Sequence, residues 1–391
     1  MKRLLFLIAD TGGGHRAAAA AVERQLLATS PDQFEITTLD PFTSAKPRVI
    51  GGTAGLYGPI TRHARWLWGG LYHSTNSRSA VALLERTVLR SVTAAVAGAV
   101  ERIAPDCVVS FHPLLNHISV RAVRTRSPTI PVVTVITDLV DIHVAWACRD
   151  VDAVVVPSPG GLDHCRRAGI PASRCHDFGL AVDRRFTELP SDPAGIAAIR
   201  ERLGVRAGGF VVLVCGGADG SGGLVKHARA IAAGSLDVDV VVICGRNERA
   251  RAALTGLRTA AGRPVTVLGY VNNMAEWMRA SDVVVSKAGP GTIAEALCCG
   301  LPLLLVWYLP GQERGNVEWV VDIGAGRYVP RDEQLVDAVA ELAEPGSAAL
   351  ATMRAAVVAA ARPDATRRIA ELIAAMAAKS AASPSSAGAT R

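Results

Sequence analysis

Three sets of residues in this chain have the types and spacing to do chemistry. The first centres on His15, which closes the string Asp10-Thr11-Gly12-Gly13-Gly14-His15. Gly13 and Gly14 let a ligand approach the main chain closely. At a helix start the positive dipole end disfavours imidazolium, so His15 is expected to be neutral and able to take a proton; it could instead only close the turn. The second set is Lys287-Ala288-Gly289-Pro290-Gly291-Thr292, a glycine turn running into helix formers. Such a helix start offers unpaired N–H groups to an anion, most naturally a diphosphate. Gly216 and Gly217 open another glycine-rich turn that can cradle phosphate, although such a turn is weak evidence alone. The third set, Gln312, Glu313 and Asn316, joins two amides and a carboxylate that suit sugar hydroxyls. Thr292 and Glu295 are also spaced as a capping box, so Glu295 could serve only the backbone.

Each set follows an apolar run. The runs Leu4–Ala9, Phe34–Thr38, Cys107–Phe111, Val132–Ile136 and Ala153–Val156 read as strands, with helices over Arg16–Ala28 and around Arg90–Ile103. A second series begins with a strand over Phe210–Cys215 and a helix over Leu224–Ala233, and continues with strands at Val238–Cys244, Val265–Leu268, Val283–Val285 and Leu303–Val306. Alternating strand and helix predicts an α/β chain with parallel sheets, whose carboxyl edges bind ligands. His112 and Asp138 end two of the early strands, so both belong to the edge that carries His15. Asp138 is expected to orient His15, to hold a hydroxyl, or only to cap the next turn. At 391 residues two domains are expected, 1–188 and 205–360, with a linker at 189–204 made of the stretch Leu189–Gly195 and a short helix to Leu203. Residues 361–378 read as a helix returning to the first domain, and 379–391 as a disordered tail.

The order KAGPGTIAEA, apolar strand, GQERGN, together with DTGGGHR near the start, resembles the monogalactosyldiacylglycerol synthase family. That resemblance implies the GT-B fold, two Rossmann-like domains facing a central cleft, and kinship with the N-acetylglucosaminyltransferase that makes lipid II. It implies an inverting glycosyltransferase moving sugar from a UDP-sugar, a substrate rather than a cofactor, to a lipid hydroxyl, diacylglycerol in the best-known members. Carried residue by residue, it makes His15 the general base, with Asp138 as its possible helper. Gly216, Gly217, Gly289, Gly291 and Thr292 become the diphosphate cradle, Glu295 the ribose ligand, and Val271 and Met274, in GYVNNM, the place where main chain meets uracil. Gln312, Glu313 and Asn316 become sugar ligands, and Gly13, Gly14, His112, His143 and Trp146 line the acceptor side. An isolated Trp146 reads as a core residue. Arg314 stands where the family more often has a small residue, which leaves the sugar open.

The remaining features bound the answer. The net charge of +7 suits nucleic acid, an anionic membrane or an anionic substrate. No acidic residue falls between Asp40 and Glu85, where Arg62, Arg65, Trp66 and Trp68 stand among Phe42, Tyr57 and Tyr72. Cations with aromatics suit an anionic lipid surface, as they also suit single-stranded nucleic acid or an ordinary loop; no nucleic-acid motif accompanies them. The expectation is a cytoplasmic protein attached peripherally to the inner face of the membrane. The opening MKRLLFLIAD imitates a signal peptide but reads as a first strand, and no stretch of eighteen apolar residues follows. The eight cysteines show no zinc spacing and read as buried, reduced thiols. Asp150-Val151-Asp152 and Asp237-Val238-Asp239 lack further ligands, so no catalytic metal is expected. GGGH is not the dinucleotide fingerprint, which disfavours a dehydrogenase. The rivals are a UDP-sugar epimerase of the same fold and a non-catalytic, membrane-attached nucleotide-sugar binder.

Overall fold

The computed structural model describes residues 1–9, 13–44, 70, 72–87, 89–217, 220 and 222–379. Arg62, Arg65, Trp66, Trp68, the 380–391 segment and part of the glycine turns before His15 and after Gly217 lie outside them. The chain divides into two units, residues 1–183 with 364–391, and residues 184–363.

In the first unit the strands are β1 (Lys2–Leu7), β2 (Phe34–Leu39), β3 (Cys107–Ser110), β4 (Val132–Val135), β5 (Ala153–Val156) and β6 (Cys175–Asp177). They form a parallel sheet in the order β2-β1-β3-β4-β5-β6. Residues of β3, β4 and β5 are buried throughout, as apolar strands covered on both faces must be. One face packs Leu4, Phe6 and Ile8 against α1 (Gly14–Thr29) and the last helix, Ala365–Lys379, through Ala18, Val22, Ile369 and Ile373. The other packs Leu5, Leu7 and Val108 against Val92, Val96 and Val123. Thr366 ties the last helix to the sheet side of this unit, its hydroxyl bonding both the N–H and the carbonyl of Val182.

The second unit repeats the plan with β7 (Phe210–Cys215), β8 (Val238–Ile243), β9 (Thr266–Leu268), β10 (Val283–Lys287), β11 (Leu303–Trp307) and β12 (Gly326–Tyr328), in the order β12-β11-β10-β7-β8-β9. The helices that matter for function are α2 (Leu224–Ala233), α3 (Met274–Ala280), α4 (Pro290–Cys298) and α5 (Arg314–Asp322).

The short helix expected within 189–204 is present and starts at Pro193, inside the stretch read as linker. Pro193–Leu203 is a helix capped by Asp192, and its Arg200 is buried, bonding the carbonyls of Ala280, Ala207 and Gly209 and the carboxylate of Asp282. Proline and serine in Leu189–Asp192 mark a helix start. The division of units falls earlier, between Asp183 and Arg184. β6 and β12 were not anticipated, because CHD and GRY are short and polar edge strands without an apolar run.

Candidate functional site

Chain order within each sheet locates one crevice per unit. In the first sheet the chain leaves β1 for β2 on one side and reaches β3 on the other, so the strand order reverses between β1 and β3. Ligands of open parallel sheets bind at the carboxyl ends of such a pair. Gly13, which caps α1 with φ 82°, a left-handed value that suits glycine, sets His15 at that position. Phe111 and His112 follow β3.

His15 is partly buried, and burial lowers its pKa from 6.5 to about 4, with the Phe111 carbonyl opposing the shift. The imidazole is therefore neutral at physiological pH, as expected, although desolvation and not only the helix dipole makes it so. Its Nδ1 lies 2.8 Å from Thr137 Oγ1. The ring of His112 meets it edge-on with centroids 4.8 Å apart. His112 is buried, its pKa is pushed well below the usual value by burial and then by His15, and its Nδ1 has no partner among the described residues.

Asp138 belongs to the same neighbourhood, but the bond it displays is with Trp146, whose indole Nε1–H donates to Oδ2 at 2.8 Å. The tryptophan is wholly buried, with its ring 6.2 Å from that of His15. It is a core residue that holds a carboxylate. His143 is also inside: it caps the turn Val144–Trp146 by accepting from the Ala145 N–H, and its Nε2 lies 3.3 Å from Thr75 Oγ1. Burial brings its pKa to about 4. Two aromatics of the basic segment are likewise core members. Phe42 is buried against His112, and Tyr72 is buried with its hydroxyl donating to the Asp141 carbonyl. They are therefore unavailable to a lipid surface.

In the second unit the order reverses between β7 and β10, and both glycine turns follow those two strands. Pro290 occupies the first position of α4 after Gly289, so Gly291 and Thr292 supply the free N–H groups. Gly291 is exposed, and a Cβ there would meet nothing within 4 Å. The capping-box interpretation fails, because the cap is Gly289 and Thr292 lies inside the helix. Glu295 is partly buried one turn further along, near Cys215 at the end of β7, whose thiol pKa is pushed up first by burial and then by this carboxylate.

The unanticipated member is Lys287. A register shift against β11 between Ser286 and Lys287 re-aims the chain there, and the ammonium lies 3.2 Å from where a Cβ of Gly289 would stand. Glu313 holds it at 2.5 Å, and the other oxygen of that buried carboxylate accepts from the Leu309 N–H. Asn316, buried, donates to the Ala288 carbonyl. Glu313 and Asn316 thus fix the turn and its cation through protein partners. Gln312 is partly exposed beside Gly311, whose φ is 87°. The cation immediately before AGPG was the available signal for Lys287.

Gly217 and Gly223 have φ values of 68° and 77°, and a Cβ at Gly222 would meet Lys287 and Trp307 side chains, so the loop after β7 lies over the same point. Val271 and Met274 flank the start of α3, Val271 partly exposed in a loop whose Tyr270 is exposed beneath the Arg246 guanidinium. Asp237 and Asp239 pair with Arg206 and Arg263, and Asp152 with Arg124, so arginines occupy these carboxylates. Among the described residues no helix is long and apolar enough to cross a membrane.

Comparison with known proteins matches residues 15–182 to the family described as Monogalactosyldiacylglycerol (MGDG) synthase and residues 211–369 to the Glycosyltransferase family 28 C-terminal domain. Monogalactosyldiacylglycerol synthase 1, chloroplastic, of Arabidopsis thaliana is 32% identical over 377 residues, covering 94% of this chain and 70% of the relative. A probable monogalactosyldiacylglycerol synthase 2 of Oryza sativa subsp. japonica is 34% identical over 334 residues, 83% of this chain and 70% of its own. Among solved structures, MurG of Acinetobacter baumannii superposes with a TM-score of 0.62 at 19% identity, covering 96% of this chain and all of that one. A UDP-GlcNAc 2-epimerase of Neisseria meningitidis bound to UDP-GlcNAc gives 0.55 at 14% identity, covering 95% and 100%. At such identities these two structures speak for the fold alone.

Proposed function

This chain belongs to the monogalactosyldiacylglycerol synthase family, glycosyltransferases of the GT-B fold, and from that premise we propose that it transfers galactose from UDP-galactose to the free hydroxyl of diacylglycerol, with inversion. The observation that carries the reading is the open helix start at Gly291 with the Lys287 ammonium against it, a cradle for a departing diphosphate. Two N–H donors and a fixed cation, in place before the reaction, lower the cost of the charge that develops as the glycosidic bond breaks. A positioned donor of this kind contributes about 3 kcal/mol to the transition state.

His15 supplies the other half. The acceptor hydroxyl gives its proton to the imidazole as its oxygen attacks the anomeric carbon from the face opposite UDP, so one displacement inverts the centre. A general base of this kind accounts for roughly 10²- to 10⁴-fold in rate. Glu295 accepts from the ribose hydroxyls, Val271 and Met274 present main chain to uracil, and Gln312 meets the sugar. No metal is required in this scheme, because N–H groups and Lys287 carry the diphosphate charge. The lipid acceptor and the acid-free, arginine- and tryptophan-bearing segment around Arg62–Trp68 support peripheral attachment to an anionic membrane surface.

The test is purified protein with a panel of UDP-sugars and lipid hydroxyls, following UDP release and the lipid product. Galactolipid formed only when both UDP-galactose and diacylglycerol are present is the expected result. A sugar isomerised without lipid would replace the assignment with an epimerase, and binding without UDP release would replace it with a non-catalytic binder.

A further inference from the structure

The helix Arg78–Arg86 turns one face, Arg78, Val81, Ala82 and Glu85, to a cavity of about 270 Å³ beside the turn Val144–Trp146. Those positions are i, i+3, i+4 and i+7, so a charged residue stands at each end of an apolar wall about 10 Å long. At the first end the guanidiniums of Arg78 and Arg149 converge on one oxygen, the Ala168 carbonyl, at 2.9 and 2.6 Å. That bond occupies one N–H of each, and no carboxylate lies within 4.0 Å of either guanidinium. Neighbouring guanidinium forks of this kind suit a phosphate. At the second end Glu85 is only 6% exposed. Its Oε2 has Arg121 Nη2 at 3.4 Å, and its Oε1 makes no hydrogen bond, His117 Nδ1 standing 3.9 Å away. Burial holds the His117 pKa below its usual value against the pull of Glu85, so that ring brings no positive charge at neutral pH. A buried carboxylate oxygen left in this way lacks the cationic donor that burial calls for.

The charges lining the cavity cancel, two guanidiniums against the carboxylates of Glu85 and Asp150. A ligand of one sign therefore gains little there, while a zwitterion meets each of its charges with the opposite one. We propose that this cavity binds a phosphoethanolamine group, its phosphate on Arg78 and Arg149 and its ammonium on Glu85 Oε1. Diacylglycerol carries neither charge, so the site is not the acceptor's, and its occupancy does not depend on sugar transfer. A quaternary ammonium has no N–H to give the carboxylate, and phosphate or ethanolamine alone satisfies one end only. Val144 and Ala147, which complete the apolar lining, bracket the Trp146 whose indole holds Asp138, so an occupant bears on the loop that builds the first unit's site. The group is carried either by a phospholipid or by a free phosphomonoester.

Calorimetry on the full chain would compare O-phosphoethanolamine with phosphocholine, inorganic phosphate and ethanolamine. Flotation with phosphatidylcholine vesicles, with and without phosphatidylethanolamine, asks whether a bilayer presents the group. O-Phosphoethanolamine is expected to bind at least about tenfold more tightly than each of the other three, because each of them forgoes a charge-assisted hydrogen bond at one end. Glu85→Gln and Arg149→Gln should each weaken it by a similar factor, and Arg78→Gln, made on an exposed side chain, supplies the same test where Glu85→Gln does not fold. Vesicle capture that rises with phosphatidylethanolamine and falls in these variants supports the site with the lipid as its source. Binding of the soluble compound alone supports it with a free phosphomonoester as the source. A folded wild type that binds no O-phosphoethanolamine overturns the proposal, and so does one that binds phosphocholine or inorganic phosphate equally well.

Discussion

Removing the Lys287 ammonium should separate two roles that the structure superimposes. Lys287 neutralises Glu313, whose side chain is only 5% exposed, and it stands against the helix start at Gly289. Lys287→Met leaves a buried carboxylate without its counter-charge, which costs about 3–5 kcal/mol of stability. It also removes a charged hydrogen bond to diphosphate, worth about 1.5–3 kcal/mol, or roughly 10- to 150-fold in affinity. Adding Glu313→Gln removes the orphaned charge and keeps an acceptor for the Leu309 N–H, which now meets Glu313 at 2.9 Å. The double variant should therefore regain most of the lost stability in denaturant titration. It should nevertheless bind UDP at least tenfold more weakly by calorimetry. A double variant with restored stability and wild-type UDP affinity would show that Lys287 holds Glu313 and nothing else.

Three further outcomes follow from the same geometry. Glu295→Ala should lose the preference for UDP over 2′-deoxy-UDP that a ribose-binding carboxylate confers; an undiminished preference by competition binding would remove Glu295 from the ribose. The acidic limb of kcat/KM should lie near pH 4, because His15 must be neutral to act and burial holds its pKa at about 4 against 6.5. At pH 5.5 activity should stay close to its value at pH 7.5, whereas an unperturbed histidine would lose about tenfold. The same shift makes stability fall with acid: the unfolded chain takes up a proton below pH 6.5 that the folded His15 refuses until about 4. The contribution, about 3 kcal/mol, is complete above 6.5 and is lost as pH drops from there through 4.

The strand-turn-helix grammar was legible because parallel strands covered on both faces must be apolar runs, and β3, β4, β5, β7 and β10 lie within a residue or two of where those runs stop. The open helix start was legible for a related reason, since Gly289, Pro290 and Gly291 announce it. What the sequence hides is each side chain's partner when that partner is distant in the chain. Nothing in GQERGN reveals that Glu313 reaches back to Lys287 and Asn316 to Ala288, or that Trp146 is spent on Asp138. Thr137 escaped notice for the same reason, being separated from His15 by most of the first unit. The helix ending at Leu203 begins a little earlier than its sequence suggests, because Pro193 opens a helix as readily as it ends one.

The central claim is that His15 takes the acceptor proton while the second unit holds the nucleotide independently. Rapid-quench turnover of His15→Ala, with UDP affinity measured on the same sample, tests it most directly. The account predicts a fall in single-turnover rate of roughly 10²- to 10⁴-fold with UDP affinity unchanged. Wild-type turnover, or a loss of rate matched by a loss of UDP binding, would contradict it.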